Sequence, residues 1–472
     1  MASFPLLPNE LVREVARHVI PEDIESFSLI SRNVYREALP LLKEHRQLKN
    51  RYRAFDIIEE AEFYGGRPKW FNWGETSTSN CFAGDSFSYL LMDVLQHRRV
   101  ALYIREIRHE GWFPCWESEV PDPLNQPHMH TPYTEKQFAL FKEALSQHVL
   151  PARLETWIQE LESGNEDPVI GLLLILLPNI RSMKLEGAPS MKQQRLRDVI
   201  VRIKEDCIVD TPVLHRLERV NLQHYDEGHL GMTRSIDFAF FLTLSSLKSL
   251  HGQSIFTDND SRLFSSLPPD SSNVTDLSLT MCNFSLNQLK DLFRGLKSLK
   301  KFCFVHEDSE FALATALWDP AGMCKLLLEH AKQTLEVLVL RSKDKPIVLL
   351  EPIASLRDFN VLKELTLSLP LFETGQSWDW WAYPSRHLAH ELPESLQEIS
   401  FQDIEIGHYR LQRDAVRDLV HRKPQHLPRL EKVCLCARLE WEVEVPSGVV
   451  MIPRVGNSGE TVGIELCFVE AE

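Results

Sequence analysis

With 472 residues, 43% of them hydrophobic and 25% charged, the chain has enough apolar material for a sizeable core and little room for long disorder; length alone suggests roughly two to four domains. Its formal net charge of -15 speaks against a nucleic-acid-binding surface, which needs clustered lysine and arginine. The nine cysteines are an odd set and no secretory leader pattern opens the sequence, so free thiols in an intracellular compartment, cytoplasmic or nuclear, are expected.

Leu7-Pro8-Asn9-Glu10-Leu11 opens a first helix, with Asn9 as its expected N-cap and Leu11, Val15 and Val19 along one stripe. Pro21 ends it. Asp23 stands where it can cap a second short helix bearing Ile24, Phe27 and Ile30. Ser31 can cap a third, with Val34, Tyr35, Ala38 and Leu39 on its apolar side, and Pro40 is expected to break it and start the next. Three such short helices cannot bury their stripes alone, so the unit calls for a partner protein or the rest of the chain. The basic run from His45 to Arg53 reads as a solvated helix face.

The pattern Leu7-Pro8, Glu10-Leu11, Val15, Val19, Asp23-Ile24, Phe27, Ser31-Arg32, Tyr35-Arg36 and Ala38-Leu39-Pro40 resembles the F-box. That resemblance covers about a tenth of the chain, residues 1–50. It implies a three-helix unit that binds a Skp-type adaptor and, through it, cullin and RING subunits of a ubiquitin ligase. Leu7, Pro8, Leu11, Val15, Ile24, Phe27, Leu29 and Ile30 are then the expected adaptor-binding residues.

Residues 51–164 show no clear repeat and read as a helical, irregular connecting region. Phe138, Phe141, Leu145, Val149 and Leu154 have helical spacing, and Pro121 to Pro132 reads as a surface loop. Trp70-Phe71-Trp73 and Trp112-Phe113-Trp116 are read as structural packing. The longest apolar run, from Val169 to Leu177, is too short to span a bilayer and stops at Pro178, so buried core and no membrane partner are expected.

From residue 165 to 472 apolar residues return at offsets 0, 3, 6 and 8: Leu177, Ile180, Met183, Leu185; Leu214, Leu217, Val220, Leu222; Leu296, Leu299, Phe302, Phe304; Phe359, Leu362, Leu365, Leu367; Leu427, Leu430, Val433, Leu435. Leu335, Leu338 and Leu340 fit the last three positions, and Leu392, Leu396, Ile399 and Phe401 fit with one insertion. The last two positions alternate as in a strand. Between them run helical stretches: a capping box at Ser285–Gln288 with Gly295 as the expected stop, a start at Asp319-Pro320, and an apolar stripe of Leu411, Ala415, Val416 and Leu419.

This resembles an irregular leucine-rich-repeat array, an α/β solenoid of alternating short strands and helices. The family's ladder residue, three positions past the last strand leucine, is matched by Cys282 after Val274, Leu277 and Leu279. A doubly wound α/β domain is the alternative, and no glycine-rich phosphate loop follows any strand. The resemblance implies a concave strand face with Lys184, Asn221, Ser278, Cys303, Val339, Thr366, Ser400 and Cys434 between the strand leucines. Of these, Asn221, Ser278, Thr366 and Ser400 are the candidate target-binding residues. Trp378, Trp380 and Trp381, in an insertion between repeats, join them, since such loops reach binding faces.

No nucleophile elbow, Walker loop or zinc-binding His-Glu-x-x-His is present. His128 and His130 lack zinc-spaced partners, and Cys434 and Cys436 alternate on a strand. The expectation is therefore a non-catalytic substrate adaptor of a Skp/cullin/F-box ligase without cofactor, with a repeat scaffold outside ubiquitination as the alternative.

Overall fold

The computed structural model describes residues 7–52, 54–58, 82–83, 86–112, 133–163, 167–187, 191–208, 212–223, 233–256, 264–306, 319–342, 353, 355–368, 388–402, 409–435, 449–455 and 461–468. They fall into two units, Met1–Gly231 and Met232–Glu472.

The first unit opens with α1 (Asn9–His18), α2 (Ile24–Ser28) and α3 (Arg32–Tyr52). These close on a small core of Val12, Ala16, Phe27, Val34 and Ala38. The stripe of α1 that packs is therefore Val12/Ala16, not the expected Leu11/Val15. Pro8 rather than Asn9 takes the N-cap position, and Asp23 makes no side-chain cap bond. Ser31 does cap, its Oγ accepting from the Val34 amide at 3.2 Å. Pro40 lies inside α3 instead of ending it. Losing one main-chain bond is offset because continuing the helix buries Leu42, His45 and Tyr52. In the basic run Arg46, Lys49 and Arg51 are exposed as expected, but His45 is buried.

Next come β1 (Ala54–Ile58), β2 (Phe82–Ala83), α4 (Ser86–Gln96), a 3-10 turn (Val100–Leu102) and β3 (Glu106–Trp112). They are followed by α5 (Glu135–His148), α6 (Pro151–Glu162), α7 (Asp167–Leu176), β4 (Ser182–Gly187), α8 (Met191–Asp206) and β5 (Arg219–Gln223). The strands run parallel in the order β2-β1-β3-β4-β5. Ile107, Met183 and Val220 are register partners, as are His109, Leu185 and Leu222. The ladder thus starts before residue 165. Ala101, Ile104 and Ile107 hold the first three repeat offsets and are buried. His109 at the fourth hides the repeat from a search for leucines.

The α5–α6 stretch splits at Pro151, the first residue of α6, and Thr134 closes a capping box on Gln137 at the head of α5. Behind the sheet Trp157 is buried, its Nε1 donating to Asp206 Oδ2 at 3.0 Å, with the Arg202 guanidinium 4.3 Å over its ring. Arg202 in turn bridges Glu160 and Asp206. The apolar run is α7, buried as expected. Among the described residues no helix is long and apolar enough to cross a membrane.

Gly171, mid-way along α7, makes a prediction. A Cβ there would stand 2.8 Å from Cζ3 and 2.9 Å from Cη2 of Trp157. Helix propensity alone favours Gly→Ala by about 1 kcal/mol. Overpacking costs about 1–3 kcal/mol, and the pinned indole has no free swing. Gly171→Ala is expected to lower stability in urea titration; a gain would show that the ring yields.

In the second unit, β6 (Thr233–Arg234), α9 (Ser235–Leu242), β7 (Ser249–Gln253) and β8 (Ile255–Phe256) precede β9 (Asp276–Thr280), α10 (Leu286–Gly295), β10 (Lys301–His306), α11 (Pro320–Ala331) and β11 (Val337–Ser342). Then follow β12 (Glu364–Ser368), α12 (Leu388–Glu391), β13 (Glu398–Gln402), α13 (Tyr409–His426), β14 (Lys432–Leu435), β15 (Val449–Val455) and β16 (Thr461–Phe468). From β7 through β9 to β14 neighbours are parallel and in step: Leu250, Leu277, Phe302, Leu338, Leu365, Ile399 and Val433 form one row, and Gly252, Leu279, Phe304, Leu340, Leu367, Phe401 and Leu435 the next. Each strand pair predicted in this unit lies on these rows. Helices pack on their face, as Phe293 of α10 meets Phe302 edge-on at 5.2 Å.

The main chain supplies the ladder that the side chains mostly lack. Just before each strand one carbonyl accepts two amides of the next repeat: Lys300 O from Glu336 and Val337 at 2.7 and 3.0 Å, Glu336 O from Lys363 and Glu364 at 2.8 and 3.1 Å, Lys363 O from Gln397 and Glu398 at 2.8 and 2.9 Å. Cys282 performs the side-chain version. Its Sγ donates to the carbonyls of Gly252 and Thr280, and burial pushes its thiol up to about 12.

Asp319 caps α11 through the Gly322 amide at 2.7 Å, and Ser285 and Gln288 form the expected capping box. Gly295 is the last residue of α10 rather than a stop beyond it. Its role is clearance, since a Cβ would lie 2.1 Å from Cδ2 of Leu267. The solenoid does not run to 472. β16 pairs antiparallel with β14 and β15 with β16, a hairpin closing the parallel edge, with Pro453 in the outer strand.

Candidate protein-interaction site

Two bonds fix how α1 and α3 lie together. Arg13 Nε donates to Glu37 Oε2 at 2.6 Å and Asn33 Nδ2 donates to Asn9 Oδ1 at 3.1 Å, both pairs 24 residues apart. An equal offset means that the two helices run in the same direction. With Val12/Ala16 and Val34/Ala38 facing inward, Asn9 and Arg13 meet Asn33 and Glu37 on one flank. The opposite flank then carries Leu11 level with Tyr35 and Val15 level with Leu39, at the same offset.

That flank is apolar and open: Leu11 is 51% exposed, Val15 39%, Tyr35 45% and Leu39 50%. Leu29 (79%) and Ile30 stand exposed in the turn into α3, and Ile20 just past α1. Scattered exposed apolar residues are ordinary, but four on one flank of two parallel helices form a surface, with three more exposed in the adjoining turns. The bridge on the other flank is firmly polar, and the Arg13 hydrogen bond holds the buried Glu37 carboxyl below the usual carboxylate range.

Of the residues expected to bind an adaptor, Leu11, Val15, Leu29 and Ile30 thus reach solvent, and Pro8 is exposed at the head of α1. Ile24 and Phe27 do not. Both are buried, Phe27 in the small core against which Leu7 packs, so these three support the surface instead of presenting it. Tyr35, Leu39 and Ile20 had been passed over. The sequence places Tyr35 and Leu39 on the apolar side of the third helix without singling them out as contacts, and no periodicity marks Ile20.

On the sheet face opposite the leucines, Lys184 and Asn221 are register partners in the first unit. In the second unit Ser278, Cys303, Val339, Thr366, Ser400 and Cys434 form one row. Their exposure is uneven. Asn221, Cys303, Val339 and Thr366 are half-buried, whereas Ser278, Ser400 and Cys434 are buried, their short side chains being flanked by strands on both sides. The exposed side chains here are His251, beside Ser278, and Lys301 and Glu364 one row away. His251 was missed because Gly252 stands at the strand's second leucine position. Ile255 fills that space, with its Cδ1 2.2 Å from where a Cβ of residue 252 would be.

Trp378, Trp380 and Trp381 lie outside the described residues, as do Trp70, Phe71, Trp73, Phe113, Trp116, His128, His130 and Cys436. Among the described residues no group of three or more His, Cys, Asp or Glu side chains is placed to hold a metal ion.

The model of the leucine-rich repeat domain family matches residues 151–442, more than half of the chain. The chain belongs to the leucine-rich repeat domain family. That span holds β4 to β14, the strands whose leucine rows are described above. No curated protein matches the chain. Among solved structures, the crystal structure of the yeast Rad7 and Elc1 complex is similar over 90% of this chain and 87% of that one, at 11% identity and a TM-score of 0.32. At that score the likeness carries neither fold nor function.

Proposed function

We propose that this leucine-rich-repeat protein is a substrate-recognition adaptor of a ubiquitin ligase, its N-terminal helices binding a Skp-type adaptor and its repeats a target protein. The observation that carries this reading is the open apolar flank of Leu11, Val15, Tyr35 and Leu39, which falls on the residues of the F-box-like pattern. A cullin and a RING subunit follow through the Skp-type adaptor. The chain itself catalyses nothing. It acts by effective concentration, holding a target beside a charged ubiquitin-conjugating enzyme.

The test is co-purification of the full chain with a Skp-type adaptor, followed by cullin recruitment to the complex. Stable capture of both supports the reading. Failure of a folded chain to bind the adaptor overturns it and leaves a repeat scaffold outside ubiquitination.

A further inference from the structure

His45 of α3 is 2% exposed and sits where α2, α3 and the 3-10 turn meet. Its Nδ1 is 3.0 Å from the Tyr103 hydroxyl, and its Nε2 is 3.3 Å from Glu25 Oε1 on α2. The carboxylate beside Nε2 selects the tautomer with its proton there, so Nδ1 is the acceptor and Tyr103 O–H the donor. The Tyr103 hydrogen bond ties α3 to the 3-10 turn, and Glu25 of α2 stands within ion-pair distance of Nε2 without hydrogen-bond geometry.

We propose that His45 is a pH-sensitive latch holding α2, and with it exposed Leu29 and Ile30, against the body of the first unit. A proton taken from solvent onto Nδ1 removes the acceptor that Tyr103 uses. It also places a cation in a buried site that faces Lys49 of α3 and Arg99 before the 3-10 turn. Lys49 already lies 3.5 Å from Glu25, and Arg99 is engaged by Glu44 at 3.3 Å. Glu22 of the α1–α2 turn, the remaining carboxylate near Tyr103, is taken by Arg105. Glu25 alone favours the charged ring.

Burial, the largest influence, holds His45 below the ordinary histidine range, against the opposing pull of Glu25. The folded-state value lies below the unfolded one, so the latch contributes fully above about pH 6.5 and is lost as pH falls from there. The effect on partner capture rests on the adaptor reading; the latch does not.

Hydrogen–deuterium exchange of the full chain, corrected for intrinsic rates, tests it without a partner. In the segment 20–31, amides should exchange about tenfold faster at pH 5.5 than at 7.5. A control segment in β10 should be unchanged, and His45→Gln should flatten the response. An acid response that persists in His45→Gln, or none in the parent, overturns the latch. Should His45→Gln not fold, Glu25→Gln must move the midpoint down and Tyr103→Phe must move it up; shifts in one direction, or none, overturn it equally.

Discussion

Replacing both Leu11 and Leu39 with glutamate is expected to abolish capture of a Skp-type adaptor while leaving the fold intact. Both side chains are about half exposed on the flank away from the Arg13–Glu37 bridge, so neither change opens a cavity. Glutamate also suits both places. Position 11 lies in the first turn of α1, where the helix dipole favours a negative charge. Position 39 precedes Lys43 by four residues, the favourable order for an ion pair. Stability should therefore stay within about 0.5 kcal/mol. At a partner interface the same changes bury two unpaired carboxylates, and a loss of about 3 kcal/mol or more, at least about 100-fold in affinity, is expected. Isothermal titration of parent and double variant measures it. Undiminished binding by the variant would exclude this flank as the contact surface, and with it the observation on which the adaptor reading stands.

Sequence spacing marked the N-terminal unit but not which side of α1 faces in. Leu11-Val15 and Val12-Ala16 have the same spacing, and both are apolar. Only α3 decides between them: its own small Ala38 admits the close approach of Ala16, and the Asn9–Asn33 and Arg13–Glu37 bonds lock the rotation. Those are contacts between residues 24 apart, beyond any local pattern. Pro40 misled for a related reason. A proline's local cost is readable, but the burial of Leu42 and Tyr52 that outweighs it is tertiary.

The repeats were more legible, because each strand carries its own two inward residues and parallel stacking in step repeats the same environment. Where one of those residues is not a leucine the strand vanished from view, as with His109 in β3 and Gly252 in β7. The ladder bonds hid for another reason: they belong to main-chain carbonyls such as Lys300 O and Lys363 O, and no side chain announces them. The Trp157–Asp206–Arg202 cluster, assembled from two helices far apart in sequence, has no sequence signature at all.

Phe302→Ala and Cys303→Ala, neighbours in one strand, should differ sharply. Phe302 is fully buried, stands between Leu277 and Leu338 in its row, and meets Phe293 and Phe304 at 5.2 and 6.4 Å. Truncating it removes transfer free energy and leaves a cavity, about 3–5 kcal/mol. That is a large part of the roughly 5–15 kcal/mol that holds a domain together. Cys303 faces the other way and is half-buried, so its loss should cost no more than about 1 kcal/mol. Urea unfolding followed by circular dichroism compares them. Because each repeat is stabilised chiefly by its neighbours, the Phe302 cavity should also broaden the transition, as repeats on either side of β10 lose their coupling. Equal costs at the two positions would contradict the alternation that puts the leucine rows against the helices and the Cys303 row on the open face.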